Sequence, residues 1–124
     1  MSVALYLMRH GIAEDAAAPG AGGDFARALT DKGRERVAAV AAGLRALECR
    51  PRTIFTSPFI RAKETAEIVA RNLDNTPGVE PVAALECGAS APAVCDWLRG
   101  LKGESYMLVG HMPDLGRLGT WLVS

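Results

Sequence analysis

The segment VALYLMRHG at positions 3–11 joins a buried strand to three residues that can carry chemistry. Its first part, Val3–Met8, is a continuous apolar run with β-branched and aromatic members, and its length fits a buried strand. The run stops at Arg9, His10 and Gly11. Continuous apolar strands are typical of parallel sheets, so the segment predicts such a strand with polar groups at its carboxyl end.

Further strands alternate with helices along the chain. Three apolar runs predict strands, the second at a sheet edge because it contains a proline: Thr53–Thr56, Val79–Val82 and Tyr106–Val109. Apolar residues at helical spacing predict helices that begin at or near Thr30, Ser57-Pro58, Ser90 and Pro113. The segment Ala16–Gly23 has no periodicity and predicts a loop. Strands separated by helices need crossover connections, so we expect a three-layer α/β/α sandwich with a mostly parallel central sheet.

Length and charge narrow the class of protein. With 124 residues, the chain is predicted to form a single domain over residues 1–124. The 14 Lys and Arg residues balance the 14 Asp and Glu residues, so no basic excess points to nucleic acid or an anionic membrane. Its three cysteines show no CxxC spacing, which predicts free thiols and a cytoplasmic protein. The apolar run at the N-terminus has no basic leader and is too short to cross a membrane.

Polar residues follow three of the predicted strands at the point where each strand ends. Arg9 and His10 follow the first strand, and His111 follows the last. Ser57 follows the second, with Arg61 one helical turn later. The carboxyl ends of parallel strands share one edge of a sheet, where open α/β sheets bind ligands. We therefore expect both histidines and two arginines to converge on one crevice.

The residue types in this crevice suit a phosphoryl group. Guanidinium groups match phosphate oxygens in charge and geometry, and helix N-termini add backbone N–H donors. Two histidines without nearby carboxylates are an incomplete ligand set, and the arginines would repel a cation, so neither a metal nor another cofactor is predicted. A neutral imidazole nitrogen can attack phosphorus and form a phosphoenzyme. The sequence thus predicts a phosphate-binding crevice with a histidine beside the phosphorus.

The motifs together resemble the histidine phosphatase superfamily, whose fold is phosphoglycerate mutase-like. The resemblance rests on the order of Arg9-His10-Gly11, Ser57-Pro58 through Arg61-Ala62 and Thr65, and Gly110-His111 before Pro113. The short chain, with Arg27, Leu29-Thr30 and Gly33, is most similar to the small SixA-type branch of phosphohistidine phosphatases.

The resemblance implies a role for each residue of the crevice. It implies that His10 is the nucleophile and becomes phosphorylated, and that Arg9, Arg61 and His111 form the phosphate pocket around it. Gly11 would allow close approach of the backbone to the phosphoryl group.

The roles of three other residues, Ser57, Arg27 and Glu86, are less definite. The resemblance implies that Ser57 caps the helix carrying Arg61, and Arg27 either reaches the phosphate or lies exposed. In larger relatives, a glutamate on a helical insertion acts as the general acid, and this short chain does not accommodate such an insertion. Glu86 remains as the candidate general acid. SixA-type members usually add another strand, whereas this chain stops at Ser124.

The predicted substrate is a phosphohistidine on a partner protein, such as a phosphotransfer domain. A pocket without a capping insertion admits a side chain that protrudes from another protein. An imidazole also leaves more easily than an alkoxide and needs less help from an acid. Two alternatives stay open: a phosphatase for small phosphoesters, with a deep pocket walled by the predicted loop, and a module that binds a phosphorylated ligand without turnover.

Overall fold

Four parallel strands form the centre of the computed structural model, which describes residues 4–14, 23–101 and 105–123 of the chain. The strands are β1 (Leu5–Arg9), β2 (Thr53–Thr56), β3 (Gly78–Pro81) and β4 (Tyr106–Gly110), in the spatial order β1-β4-β2-β3. All pairings between them are parallel. The helices are α1 (Asp31–Ala46), α2 (Ile60–Asn72), α3 (Ala91–Leu98) and α4 (Asp114–Val123).

Helices cover both faces of the sheet and enclose two apolar cores. Side chains alternate along the central strands, so Ile54 and Met107 pack against α1 and α2 on one face. Their neighbours Phe55 and Leu108 pack against α3 and α4 on the other. The predicted three-layer α/β/α sandwich with a parallel sheet is therefore confirmed.

The strand register brings the carboxyl ends of β1, β2 and β4 together. Arg9 pairs with Gly110, and the next residue, His10, donates its backbone N–H to the Gly110 carbonyl at 3.0 Å. The Ser57 N–H donates to the Val109 carbonyl at 2.9 Å. The three segments that leave these strands are thus held side by side at one edge of the sheet.

Most predicted element starts are close to those in the structure. Thr30 caps α1, and its Oγ1 accepts a hydrogen bond from the Gly33 N–H at 2.9 Å. Ser90 caps α3 in the same way. β3 begins one residue earlier than predicted, at Gly78, because that residue pairs with Thr53 at the start of β2. The edge position predicted from Pro81 is confirmed.

The predicted start of the second helix at Ser57-Pro58 is wrong by two to three residues. The Ser57 N–H is bound to β4, so the chain continues away from the sheet before α2 begins at Ile60. Short 3-10 turns at Asp24–Ala26 and Ala83–Leu85 were not predicted. Val3 of the first predicted strand, residues 16–22 of the predicted loop and Ser124 lie outside the described residues.

Two further observations concern cysteines and membranes. Cys49, Cys87 and Cys95 are all free thiols, and only Cys87 is exposed. No helix in the described part of the chain has both the length and the apolar character needed to cross a membrane.

Gly33, in the first turn of α1, provides a test of the packing near the site. A Cβ at this position would overlap the carbonyl oxygen of Ile12, which also accepts the Thr30 N–H at 2.9 Å. We expect Gly33→Ala to lower the free energy of unfolding by about 1–3 kcal/mol because backbone must move to admit the methyl group. Urea unfolding followed by circular dichroism measures this.

Gly43 in the same helix is the matched control for Gly33. A Cβ at Gly43 would meet nothing within 4 Å. Gly43→Ala should therefore stabilise the protein by up to about 1 kcal/mol, through helix propensity alone. If Gly33→Ala gained stability to the same extent, the close approach of α1 to the segment after β1 would be refuted.

Candidate active site

His10, Arg61 and His111 meet at the carboxyl edge of the sheet. The Nε of Arg61 donates to Nε2 of His10 at 3.3 Å, and its Nη2 lies 3.5 Å from Nδ1 of His111. The two imidazole rings contact edge to face, with centroids 5.2 Å apart. We call these three side chains the His–Arg–His cluster. The convergence predicted from the strand ends is observed for these three residues.

The ring of His10 is oriented by the next residue. Its Nδ1 lies 2.7 Å from the carbonyl oxygen of Gly11, which can only accept a hydrogen bond, so Nδ1 carries the proton. Nε2 is then the unprotonated nitrogen, and its electron pair accepts the hydrogen bond from Nε of Arg61 at 3.3 Å. Burial lowers the pKa of His10 below its ordinary value of 6.5, and the charges of Arg61 and Arg9 lower it further against the opposing effect of the Gly11 hydrogen bond. At neutral pH His10 is thus a neutral imidazole that can act as a nucleophile through Nε2.

His111 is buried and held by Ser57. Its Nε2 lies 2.8 Å from the Ser57 Oγ. Burial, followed by the charge of Arg61, lowers the pKa of His111 to about 4. Since Arg61 can only donate, the Nδ1 of neutral His111 is the acceptor and Nε2–H donates to Ser57. Ser57 Oγ also accepts the Phe59 N–H at 3.2 Å, so it connects the start of α2 to His111. The N-cap of α2 is Phe59, so the prediction that Ser57 caps this helix is wrong.

Gly11 is tied to the helix that carries Arg61. Its N–H donates to Oγ1 of Thr65 at 3.0 Å, and that hydroxyl donates to the Arg61 carbonyl at 2.8 Å. A Cβ at Gly11 would lie 2.7 Å from Cγ2 of Val37. The position therefore has no room for a side chain, which gives a packing reason for glycine after His10.

Asp24 is the site residue that the sequence did not reveal. Arg61, whose side chain is 5% exposed, donates from Nη1 to the Asp24 carbonyl at 2.8 Å and from Nη2 to its Oδ2 at 3.2 Å. Arg27 donates from Nη1 to Oδ1 of Asp24 at 2.9 Å and from Nε to the Glu14 carbonyl at 2.6 Å. The hydrogen bond from Arg27, and then the charge of Arg61, hold the pKa of Asp24 below its usual 3.8. Asp24 is therefore ionised at neutral pH.

Two predicted site residues, Arg9 and Glu86, form no hydrogen bond or ion pair with the cluster within the described residues. Arg9 stands at the end of β1, but its side chain is exposed and forms no hydrogen bond or ion pair within the described ranges. Glu86 is also exposed, and its side chain makes no such contact with the cluster in the part of the chain that the structure describes. A groove of about 420 Å³ is lined by Arg9, His10, Gly11 and Arg27 among others, so these four share one opening. The roles predicted for Arg9 and Glu86 stay predictions.

The donor set of the site suits an oxyanion. Arg61 and Arg27 are permanently charged, and the guanidinium fork matches the spacing of phosphoryl oxygens. Among the described residues there is no group of three or more His, Cys, Asp or Glu side chains that could hold a metal ion. The site can thus bind a phosphoryl group with cationic donors and present a nucleophilic nitrogen to it.

Comparison with known proteins agrees with this chemistry. Residues 5–86 match the family model of the histidine phosphatase superfamily, branch 1. An uncharacterized protein of Picosynechococcus is 40% identical over 115 residues, 90% of this chain and 68% of that protein. Phosphohistidine phosphatase SixA of Escherichia coli is 30% identical over 117 residues, 92% of this chain and 70% of that one.

A solved structure extends the similarity to three dimensions. The structure of the protein histidine phosphatase SixA complexed with tungstate superposes with a TM-score of 0.82 at 28% identity, over 94% of this chain and 74% of that one. The family match covers the segments that carry His10 and Arg61, and the structural match includes the fold around them. The chain belongs to branch 1 of the histidine phosphatase superfamily, within its SixA type, and is a phosphatase.

Proposed function

We propose that this phosphatase removes the phosphoryl group from a phosphohistidine on a partner protein, such as a phosphotransfer domain, through a phosphoenzyme formed on His10. The choice of substrate rests on one observation. Within residues 4–14, 23–101 and 105–123, the carboxylate that bonds to the His–Arg–His cluster is Asp24, which is ionised and cannot give up a proton. A leaving group that departs without a proton from the enzyme is therefore favoured.

The first step transfers the phosphoryl group to His10. The Nε2 electron pair forms a bond to phosphorus while the P–N bond of the substrate breaks. A substrate imidazole that is protonated on its other nitrogen leaves as neutral imidazole and needs no acid. Arg61 stabilises the charge on the equatorial oxygens, and His111 contacts Nη2 of Arg61 through Nδ1. Arg9 and Arg27, which line the groove, are the further candidates for phosphate binding.

The second step hydrolyses the phosphoenzyme. Nδ1 of His10 keeps its proton, which is hydrogen-bonded to the Gly11 carbonyl. The phosphorylated ring is therefore cationic, and its imidazole is a good leaving group. Water attacks phosphorus, the N–P bond breaks and its electron pair returns to Nε2. Both protons of the water stay on the product, which departs as dihydrogen phosphate and leaves His10 neutral.

The relatives support the same substrate class. The E. coli relative is named a phosphohistidine phosphatase, and the solved SixA structure is complexed with tungstate, an oxyanion of phosphate-like shape. We propose that a protruding phosphoimidazole enters through the groove beside His10. These similarities favour a protein-borne phosphohistidine over a small phosphoester.

A comparison of substrates tests the proposal. We expect kcat/KM for a phosphohistidine-bearing phosphotransfer domain to exceed that for sugar and nucleotide monophosphates by about 100-fold or more. The expected difference is the usual contribution of a general acid that ester hydrolysis would lack here. Release of inorganic phosphate measures both reactions. Preference for sugar or nucleotide esters would overturn the proposed substrate, and phosphate retained without turnover would indicate a binding module.

A further inference from the structure

Asp24 binds one edge of the Arg61 guanidinium, and the adjacent edge, which shares Nη2 with it, faces the histidines. A guanidinium is planar, so its donors are grouped along edges. The end formed by Nη1 and Nη2 is held by the Asp24 carbonyl at 2.8 Å and by Oδ2 at 3.2 Å. The side formed by Nε and Nη2 points at Nε2 of His10 and Nδ1 of His111, at 3.3 and 3.5 Å. Asp24 thus binds the end of Arg61 next to the edge that faces the nucleophile.

Contacts of Arg27 and of Phe25 hold Asp24 in its position beside Arg61. Oδ1, the second oxygen of the carboxylate, accepts from Arg27 at 2.9 Å, so Asp24 bridges two guanidinium groups. The next residue, Phe25, packs its ring on Phe59 with centroids 5.1 Å apart, and Cζ of Arg61 lies 5.1 Å above the same Phe59 ring. The 3-10 turn that carries Asp24 is therefore packed against the start of the Arg61 helix.

We infer that Asp24 is a positioning residue of the phosphatase reaction, which holds the Nε–Nη2 edge of Arg61 toward the phosphoryl group on His10. The inference rests on the role proposed above for Arg61. A phosphoryl group on Nε2 of His10 meets the Nε–Nη2 edge, whereas Asp24 occupies the Nη1–Nη2 end, so both can be bound together. If Asp24 instead bound the Nε–Nη2 edge, where the phosphoryl group is expected, its carboxylate would compete with phosphate for Arg61.

Replacement of Asp24 by alanine and by asparagine tests the positioning role. Asp24→Ala removes the acceptor for Nη2, and we expect kcat to fall by about 100-fold with a smaller change in KM, as for a misaligned catalytic group. Asp24→Asn keeps one oxygen of the same reach for Nη2 of Arg61, but its amide nitrogen replaces the oxygen that accepts from Arg27, so we expect it to recover part of the rate, to within about tenfold of wild type. Phosphoenzyme formation in a single turnover separates the chemical step from product release.

Two further variants make the outcome specific. Asp96→Ala removes the same charge from an exposed pair with Arg99 on α3 and should leave kcat unchanged. Arg61→Ala tests the proposed function separately, since retained activity in this variant would refute the role of Arg61 itself. If Arg61→Ala were inactive but Asp24→Ala matched Asp96→Ala, the positioning role alone would be overturned. It would also be overturned if Asp24→Asn were as slow as Asp24→Ala, or if Asp24→Ala bound inorganic phosphate more tightly at an unchanged kcat.

Discussion

His10→Ala is expected to abolish turnover and the acid-labile phosphoenzyme, with kcat reduced by at least about 10⁴-fold. The reason is geometric. Nδ1–H of His10 is hydrogen-bonded to the Gly11 carbonyl at 2.7 Å, so Nε2 is the unprotonated nitrogen, and its electron pair faces Arg61. Among the described residues, the neighbouring imidazole is that of His111, which is buried and held by Ser57 at Nε2 and by Arg61 at Nδ1, so we do not expect it to replace His10.

Labelling with ³²P-phosphohistidine substrate, followed by acid and base treatment, measures the phosphoenzyme directly. His111→Asn is the matched control, since it alters the second imidazole of the cluster and leaves Nε2 of His10 in place. That variant should still accumulate label on His10, at a lower rate. Label on any other residue in the wild type, or phosphoenzyme in His10→Ala, would contradict the assignment of the nucleophile.

Arg61→Ala is expected to raise the activation barrier by about 2–4 kcal/mol, the usual cost of one preorganised donor to developing negative charge. The side chain is 5% exposed and contacts both histidines, so it acts from within the protein, where charge is screened less than at the surface. Arg61→Lys should recover only part of the loss, because an ammonium lacks the planar fork that serves His10, His111 and Asp24 together.

Steady-state kinetics with a phosphohistidine substrate measures the effect of Arg61, and thermal unfolding separates it from damage to the fold. Arg99→Ala is the matched control, because it removes one guanidinium from an exposed ion pair on α3. The control should keep wild-type kinetics. If Arg61→Ala retained near-normal kinetics while folded, the phosphoryl group would have to be bound elsewhere.

The strand ends could be predicted because they are encoded locally. The apolar runs mark the strands, and the first polar residue after each run marks its carboxyl end. The rule that parallel strands share this edge then places His10 beside His111 without any knowledge of distances. Arg61 follows from the same reasoning, since it lies in the first turn of the helix after β2.

The partners of these side chains could not be predicted in the same way. Ser57 looked like a helix cap because a serine before a proline often is one, yet its hydroxyl lies 2.8 Å from Nε2 of His111. Asp24 directly follows the predicted loop Ala16–Gly23, and nothing in its local pattern connects it with Arg61. Arg9 lines the same groove as His10, and its place in the phosphate pocket stays a prediction, because the position of a backbone does not determine where a flexible, exposed side chain points.

The sequence by itself determined the order of strands and helices, the shared edge of the sheet and the residues that gather there, since periodicity and caps act over a few neighbouring residues. Tertiary structure alone decided which atoms meet. Asp24 and Arg61 are 37 residues apart, His10 and Arg61 are 51 apart, and Ser57 and His111 are 54 apart. Contacts over such separations depend on how whole helices pack on the sheet and on which rotamer each side chain adopts there. A local pattern of residues predicts neither the packing nor the rotamer.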